Sequence, residues 1–143
     1  MSATNYFEQA ILQLIFQAEP IAALADNAGT SPSVNLYVSL HTGDPGEAGD
    51  QTTNETAYTS YARVPVARTN AGWTIASNEI SNTGTVTFPT CTGGNSTITH
   101  WGLGLSDTAA GTLLFKGALD ASLAVSNGIT PEFKNGNLKV SAD

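Results

Sequence analysis

LYVSLHTGDPGEAGDQT, residues 36–52, changes character partway along. Leu36, Val38 and Leu40 alternate with Tyr37, Ser39 and His41. Successive side chains on a strand point to opposite faces, so the aliphatics take one face of a sheet and the polar residues the other. The alternation stops at Gly43, and Asp44-Pro45-Gly46 is a turn signal: proline fixes one backbone angle and glycine permits the next. The reading is a core strand followed by an exposed loop, Asp44 to Thr56, long enough to reach a neighbouring molecule.

Working outward, period-two segments recur at Tyr61 to Arg68, Gly72 to Ala76, Thr85 to Phe88, Thr97 to Leu105, Thr112 to Ala118, Ser122 to Val125, Thr130 to Phe133 and Leu138 to Val140. Between them stand the turn signals NAG, SNTG, TGGN, TAAG, SNG and KNGN. Short strands punctuated this regularly predict a mainly β fold, a jelly-roll-like β-sandwich, over residues 34–143. Ahead of it, residues 1–28 predict a helical segment. Asn5 and Glu8 form a capping-box-like pair, and Phe7, Ile11, Leu14, Ile15 and Ala18 follow at helical spacing until Pro20 interrupts. A second short helix is expected over IAALAD, residues 21–26, with a linker from Asn27 to Ser33. The whole is expected to be a single globular domain.

Charged residues make up only 12% of the chain, about half the usual share, and Thr, Ser, Asn and Gly take their place. Hydroxyls and amides are easily satisfied at an interface where an unpaired charge is costly, so this composition points towards assembly. Twelve acidic and five basic residues give a net charge of −7, and the cations are scattered from Arg63 to Lys139. A groove that tracks phosphates needs clustered cations, so direct nucleic-acid binding is not expected. No apolar run is long enough to span a bilayer, and the first residues lack the positive charge of a secretory signal, so no membrane partner is expected and the chain is expected to stay in a cytosol. Cys91 stands alone, which rules out an internal disulfide, and TFPTCTGGN offers it no adjacent base; it is expected to be packed as a small apolar group.

Several residues invite a chemical reading. HTGDPGEAGD spaces His41, Asp44, Glu47 and Asp50 three apart, but it lacks the alternating oxygen donors, central glycine and terminal glutamate of a helix-loop-helix calcium site. Ser39, His41 and Asp44 suggest a hydrolytic triad; however, neighbouring same-face side chains on a strand splay in parallel, so Ser39 and His41 are expected not to meet. His100 flanks Trp101, and Gly102 and Gly104 lack the third glycine of a dinucleotide loop; they are expected to bend a strand or admit a close neighbour. Trp73 and Trp101 are expected to be core residues rather than stacking platforms for sugars. No catalytic residue, metal ligand or cofactor is therefore expected, and the chain is read as no enzyme.

Taken together, NYFEQAILQLIF, LYVSLHTGDPGEAG, SYARVPVAR, THWGL, FKGAL and SNGITPEFKNGNLKV resemble, in order along almost the whole chain, a family of small tailed-phage virion proteins. The chain departs from shorter members through its longer connection EPIAALADNAGTSPS. Members of this family are often labelled tail fibre proteins, and others resemble cement proteins on phage heads. The resemblance implies a structural role: a cement or decoration protein on the capsid surface, assembled in the host cytoplasm, bridging subunits of the major capsid protein and joined to copies of itself as a trimer or dimer. The alternative it implies is a tail or tail-fibre component for host attachment. On either reading the residues expected to grip a partner are Phe7, Ile11, Leu14 and Ile15 of the helix, Asp44, Glu47 and Asp50 of the loop, and the cations Arg63 and Arg68, whose planar forks suit bidentate contacts. The competing role for both arginines is ordinary surface or an intramolecular partner such as Glu79.

Overall fold

A computed structural model describes residues 4–21 and 33–141. Among these the fold is mainly β with one N-terminal helix, as the sequence pattern predicts. The helix α1 spans Asn5–Gln17, and the strands are β1 (Asn35–His41), β2 (Val64–Ala67), β3 (Trp73–Ala76), β4 (Glu79–Asn82), β5 (Val86–Thr87), β6 (Asn95–Gly104), β7 (Leu113–Ser126), β8 (Glu132–Phe133) and β9 (Lys139–Ser141). They form a four-stranded sheet in the order β2-β1-β6-β7, a three-stranded sheet β3-β4-β9 and a two-stranded ladder β5-β8. The expected second helix and linker, residues 21–33, fall outside the described residues apart from Ile21, which is buried, and Ser33.

Contacts divide the chain into two compact units, one of Met1–Asn35, Ala67–Val86 and Phe133–Asp143, the other of Leu36–Val66 and Thr87–Glu132. In the first unit α1 packs on β3 and β4. The Glu8 amide donates to the Thr4 carbonyl, which places the helix cap one residue before the expected Asn5. Ala18 leaves the helix with a left-handed φ of 57°, two residues before Pro20. The deepest side chains of the helix are Leu12 and Phe16, a one-turn pair, whereas Ile11, Leu14 and Ile15 are only half-buried. Phe16 meets Trp73 edge-on at 4.6 Å between ring centres, and Gln17 Nε2 donates to the Trp73 carbonyl at 3.1 Å. Burying each such large apolar side chain stabilises the unit by about 1.5–3 kcal/mol.

The strand β4 has no counterpart in the sequence reading, because Glu79–Asn82 offers a single aliphatic residue, Ile80. What holds it is Asn82, 1% exposed. Its Nδ2 donates to the carbonyls of Gly84 (2.7 Å), Lys134 (3.0 Å) and Phe133 (3.3 Å), and its Oδ1 accepts from the Leu138 amide (2.9 Å). One side chain thereby ties the turn after β4 to the segment between β8 and β9, and it accepts from the amide of the buried Leu138.

In the second unit Val38 faces Leu103 and Leu40 faces Trp101 across the β1–β6 ladder, and Leu103 in turn faces Phe115 on β7. Trp101 faces Gly117, where a Cβ would lie 2.6 Å from the indole ring; glycine is what lets the tryptophan lie flat under β7. The expected strands Thr112–Ala118 and Ser122–Val125 are one strand with an irregularity. Ile98 faces Leu123 but His100 faces Ala118, so Leu119 to Ser122 bulge out opposite the single residue Thr99.

Candidate functional site

The polar face of β1 is not open to solvent: Ser39 and His41 are both 0% exposed. The segment that the sequence presents as a free loop is folded back over them. Its two ends are joined, since Thr42 N donates to the Asn54 carbonyl (2.8 Å) and Thr56 N to the Leu40 carbonyl (2.9 Å). Residues 42–55 are thus a compact Ω-loop, a surface loop whose ends are close and whose interior is filled by its own side chains.

Local chemistry builds that loop. Asp44 Oδ1 accepts from the Gly46 amide at 2.8 Å, and Gly46 takes a positive φ of 76°, which glycine adopts without strain. Asp50 Oδ1 accepts from the Thr52 hydroxyl (2.6 Å) and amide (2.8 Å) and from the Thr53 amide (3.2 Å). Both carboxyls are held below the usual aspartate range, Asp44 by the Gly46 amide and then Lys116, Asp50 by the Thr52 hydroxyl and amide. The even spacing of acids in the sequence therefore reflects turn building in the first instance.

Gln51, 0% exposed, anchors the loop from inside. Its Oε1 accepts from the Ser106 amide (2.9 Å), its Nε2 donates to the Ser106 carbonyl (3.1 Å), and its own amide donates to the Gly111 carbonyl (3.0 Å). Gly104 and Gly111 make room for it, because a Cβ at either would collide with the Gln51 side-chain amide. A lone glutamine carries no signal in the sequence, but the glycines at 104 and 111 are where its close approach leaves a mark.

Arg63 supplies the second anchor. It is 7% exposed, with Nε and Nη2 each 2.7 Å from the two Glu55 carboxylate oxygens, a bidentate pair. Its remaining donors reach the carbonyls of Ser106 (3.0 Å) and Ala109 (2.9 Å). Tyr61 donates its hydroxyl proton to Glu55 at 2.8 Å and accepts from the Leu40 amide at 3.1 Å. Glu55 raises the Arg63 pKa, and burial raises that of Tyr61, so the guanidinium stays charged and the phenol neutral. The loop base, the β6–β7 connection and β1 are joined by this one network.

Arg68 is also engaged within the chain. In the first unit its Nε and Nη2 donate to the carbonyls of Ile15 (2.6 Å) and Leu14 (2.7 Å), and its Nη1 to that of Ser33 (2.7 Å). A cation at the C-terminal end of α1 satisfies carbonyls without helical partners and opposes the helix dipole. Glu79, the intramolecular partner foreseen for the arginines, pairs instead with Lys139 at 2.9 Å. Of the other expected gripping residues, Asp50 is spent on its own turn, and the Phe7 side chain lies outside the described set. Asp44 and Glu47 face outward, with side chains 54% and 94% exposed, and share Lys116 at 3.0 Å each.

Ser39 and His41 do meet, contrary to the expectation of splayed side chains. Ser39 Oγ lies 2.8 Å from His41 Nε2, and His41 Nδ1 lies 2.8 Å from the Thr53 carbonyl. The cause is Gly102, which faces Ser39 across the ladder; a Cβ there would sit 2.6 Å from Nε2 and 2.7 Å from Oγ, so its absence leaves a hollow into which both side chains lean. The carbonyl fixes the proton on Nδ1, Nε2 accepts from the serine, and burial holds the imidazole pKa below its usual value. With both residues sealed beneath the Ω-loop, a substrate has no approach to the serine. Cys91 is likewise buried, its Sγ 3.2 Å from the Gly93 carbonyl. Among the described residues no group of histidine, cysteine, aspartate and glutamate is arranged to hold a metal, and no helix is long and apolar enough to cross a membrane.

Two loop tips stand on anchored bases in this unit: Gly46 to Ala48 of the Ω-loop, and Asp107 to Ala110 of the β6–β7 connection, the latter exposed and gripped from below by Arg63 and Gln51. A family model described as podophage GP4 fiber I protein gp80 matches residues 2–141. The chain belongs to that family, a family of phage virion structural proteins. No curated protein matches it.

Proposed function

We propose that the chain is a component of a phage tail fibre that takes part in host attachment, acting by binding alone and in several copies. The family match over residues 2–141 carries this reading, since that family is described by a fibre protein and not by a capsid protein. The sequence-based preference for capsid cement gives way to its alternative on that ground. The anchored loop tips support it, because loops already held in one conformation lose little freedom when they bind. The net charge of −7 and the use of both arginines inside the fold suit a surface turned away from DNA.

Labelling intact particles with antibody against the purified chain, followed by electron microscopy, tests the reading. Label confined to the tail is the expected result. Label distributed over the head would restore the cement role and the major capsid protein as partner.

A further inference from the structure

The two edges of the four-stranded sheet differ. β2 is four residues long and contains Pro65, and both features discourage another strand from pairing there. β7 at the other edge runs for fourteen residues without proline, and Leu114 and Leu123 on it are each 37% exposed. No strand among the described residues pairs with its outer edge. A long, open, partly apolar edge is a template for a further strand.

Two features of this edge complement each other. Leu119 to Ser122 leave the β6 ladder as a bulge that includes the exposed Asp120. Beside the first half of the strand lies a groove of about 270 Å³, lined by Gly46, Glu47, Gly49 and Leu113–Lys116. Bulge and groove lie on either side of Ala118, and Lys116 and Asp120 stand two positions before and after it.

We propose that a second copy of this chain docks antiparallel on the outer edge of β7, about a two-fold axis at Ala118. In that register Ala118 faces its own counterpart, Lys116 faces Asp120 of the second copy, and the bulge of each copy lies against the groove of the other. The strand is thus complementary to itself in both charge and shape, as a two-fold interface requires. Lys116 already holds Asp44 and Glu47; the Glu47 side chain, 94% exposed, is the one that the incoming Asp120 displaces.

The test uses the full chain. Ala118→Cys places an exposed thiol on the axis, and the only other thiol, Cys91, is buried, so mild oxidation is expected to give a covalent dimer on a non-reducing gel. In sedimentation velocity, Lys116→Asp alone and Asp120→Lys alone are each expected to lose the dimer, and mixing the two variants to restore it as a heterodimer, with circular dichroism confirming that each is folded. Ala118→Cys reads the same geometry without disturbing the Asp44 and Glu47 contacts. A wild-type chain that stays monomeric at high micromolar concentration overturns the proposal, whether or not another virion protein later covers the edge. So does a dimer that survives both charge reversals while Ala118→Cys fails to cross-link.

Discussion

Arg63→Ala separates a structural arginine from a partner-binding one. The side chains of Arg63 and Glu55 are only 3% and 14% exposed, and two 2.7 Å hydrogen bonds join them. The substitution leaves the Glu55 carboxylate its Tyr61 hydrogen bond but no counter-charge, and removes the Arg63 donors to the carbonyls of Ser106 and Ala109. Breaking a buried pair from one side costs about 3–5 kcal/mol, against about 0–1 kcal/mol for a surface pair. On a domain stable by about 5–15 kcal/mol that is a large fraction. Urea unfolding followed by circular dichroism reads it as a fall in midpoint at unchanged slope. Combining Arg63→Met with Glu55→Met removes both charges, and the double variant is expected to lose about 2 kcal/mol less than the sum of the two single ones. A loss below about 1 kcal/mol for Arg63→Ala would show the pair to be screened by solvent, and the account of the Ω-loop as a clamped element would be wrong.

Three further outcomes follow from the same geometry. Burial holds the His41 pKa down, so as pH falls the unfolded chain takes the proton first; stability is full above about pH 6.5 and declines below it, by up to about 1.4 kcal/mol per pH unit, until the folded value is reached. Urea midpoints between pH 8 and pH 5 are expected to show this slope in the wild type and to lose it in His41→Gln; an unchanged slope would mean that the imidazole is not the group responsible. Gly104→Ala drives a methyl group into Gln51 and is expected to cost about 1–3 kcal/mol in thermal unfolding, with part of that loss recovered by adding Gln51→Ala. Asn82→Ala removes the acceptor of the buried Leu138 amide and a donor shared among the carbonyls of Gly84, Phe133 and Lys134, and is expected to cost about 1–3 kcal/mol; amide exchange that stays slow at Leu138 in this variant would contradict the role assigned to Asn82.

The β class, the N-terminal helix and most strand positions are legible from local pattern alone, because alternation and turn residues are local signals. The irregularity in β7 shows as the gap between two expected strands, since its extra residues break the period at Leu119 to Ser122. β4 is not legible: its place is set by a buried asparagine bonding residues far along the chain, and no pattern within four residues records that. The Ω-loop is half legible. Asp44, Pro45, Gly46 and Asp50 mark its turns, but whether it stands away from the strand or lies over it depends on Gln51 and Arg63 meeting the β6–β7 connection. Polar residues opposite an aliphatic face are ordinarily read as solvent-facing, and Ser39 and His41 depart from that rule because they satisfy each other and the Thr53 carbonyl under the loop. The arginines illustrate the same limit. As two of only five cations they stand out in the sequence, but their internal acceptors lie far along the chain and leave no local mark there.

The number of copies of this chain per particle, measured by quantitative mass spectrometry against the major capsid protein, tests the fibre assignment most directly. A copy number far below that of the capsid protein, in keeping with a few appendages at one vertex, is what a tail-fibre component predicts. A copy number comparable with the capsid protein's would contradict it and place the chain on the head.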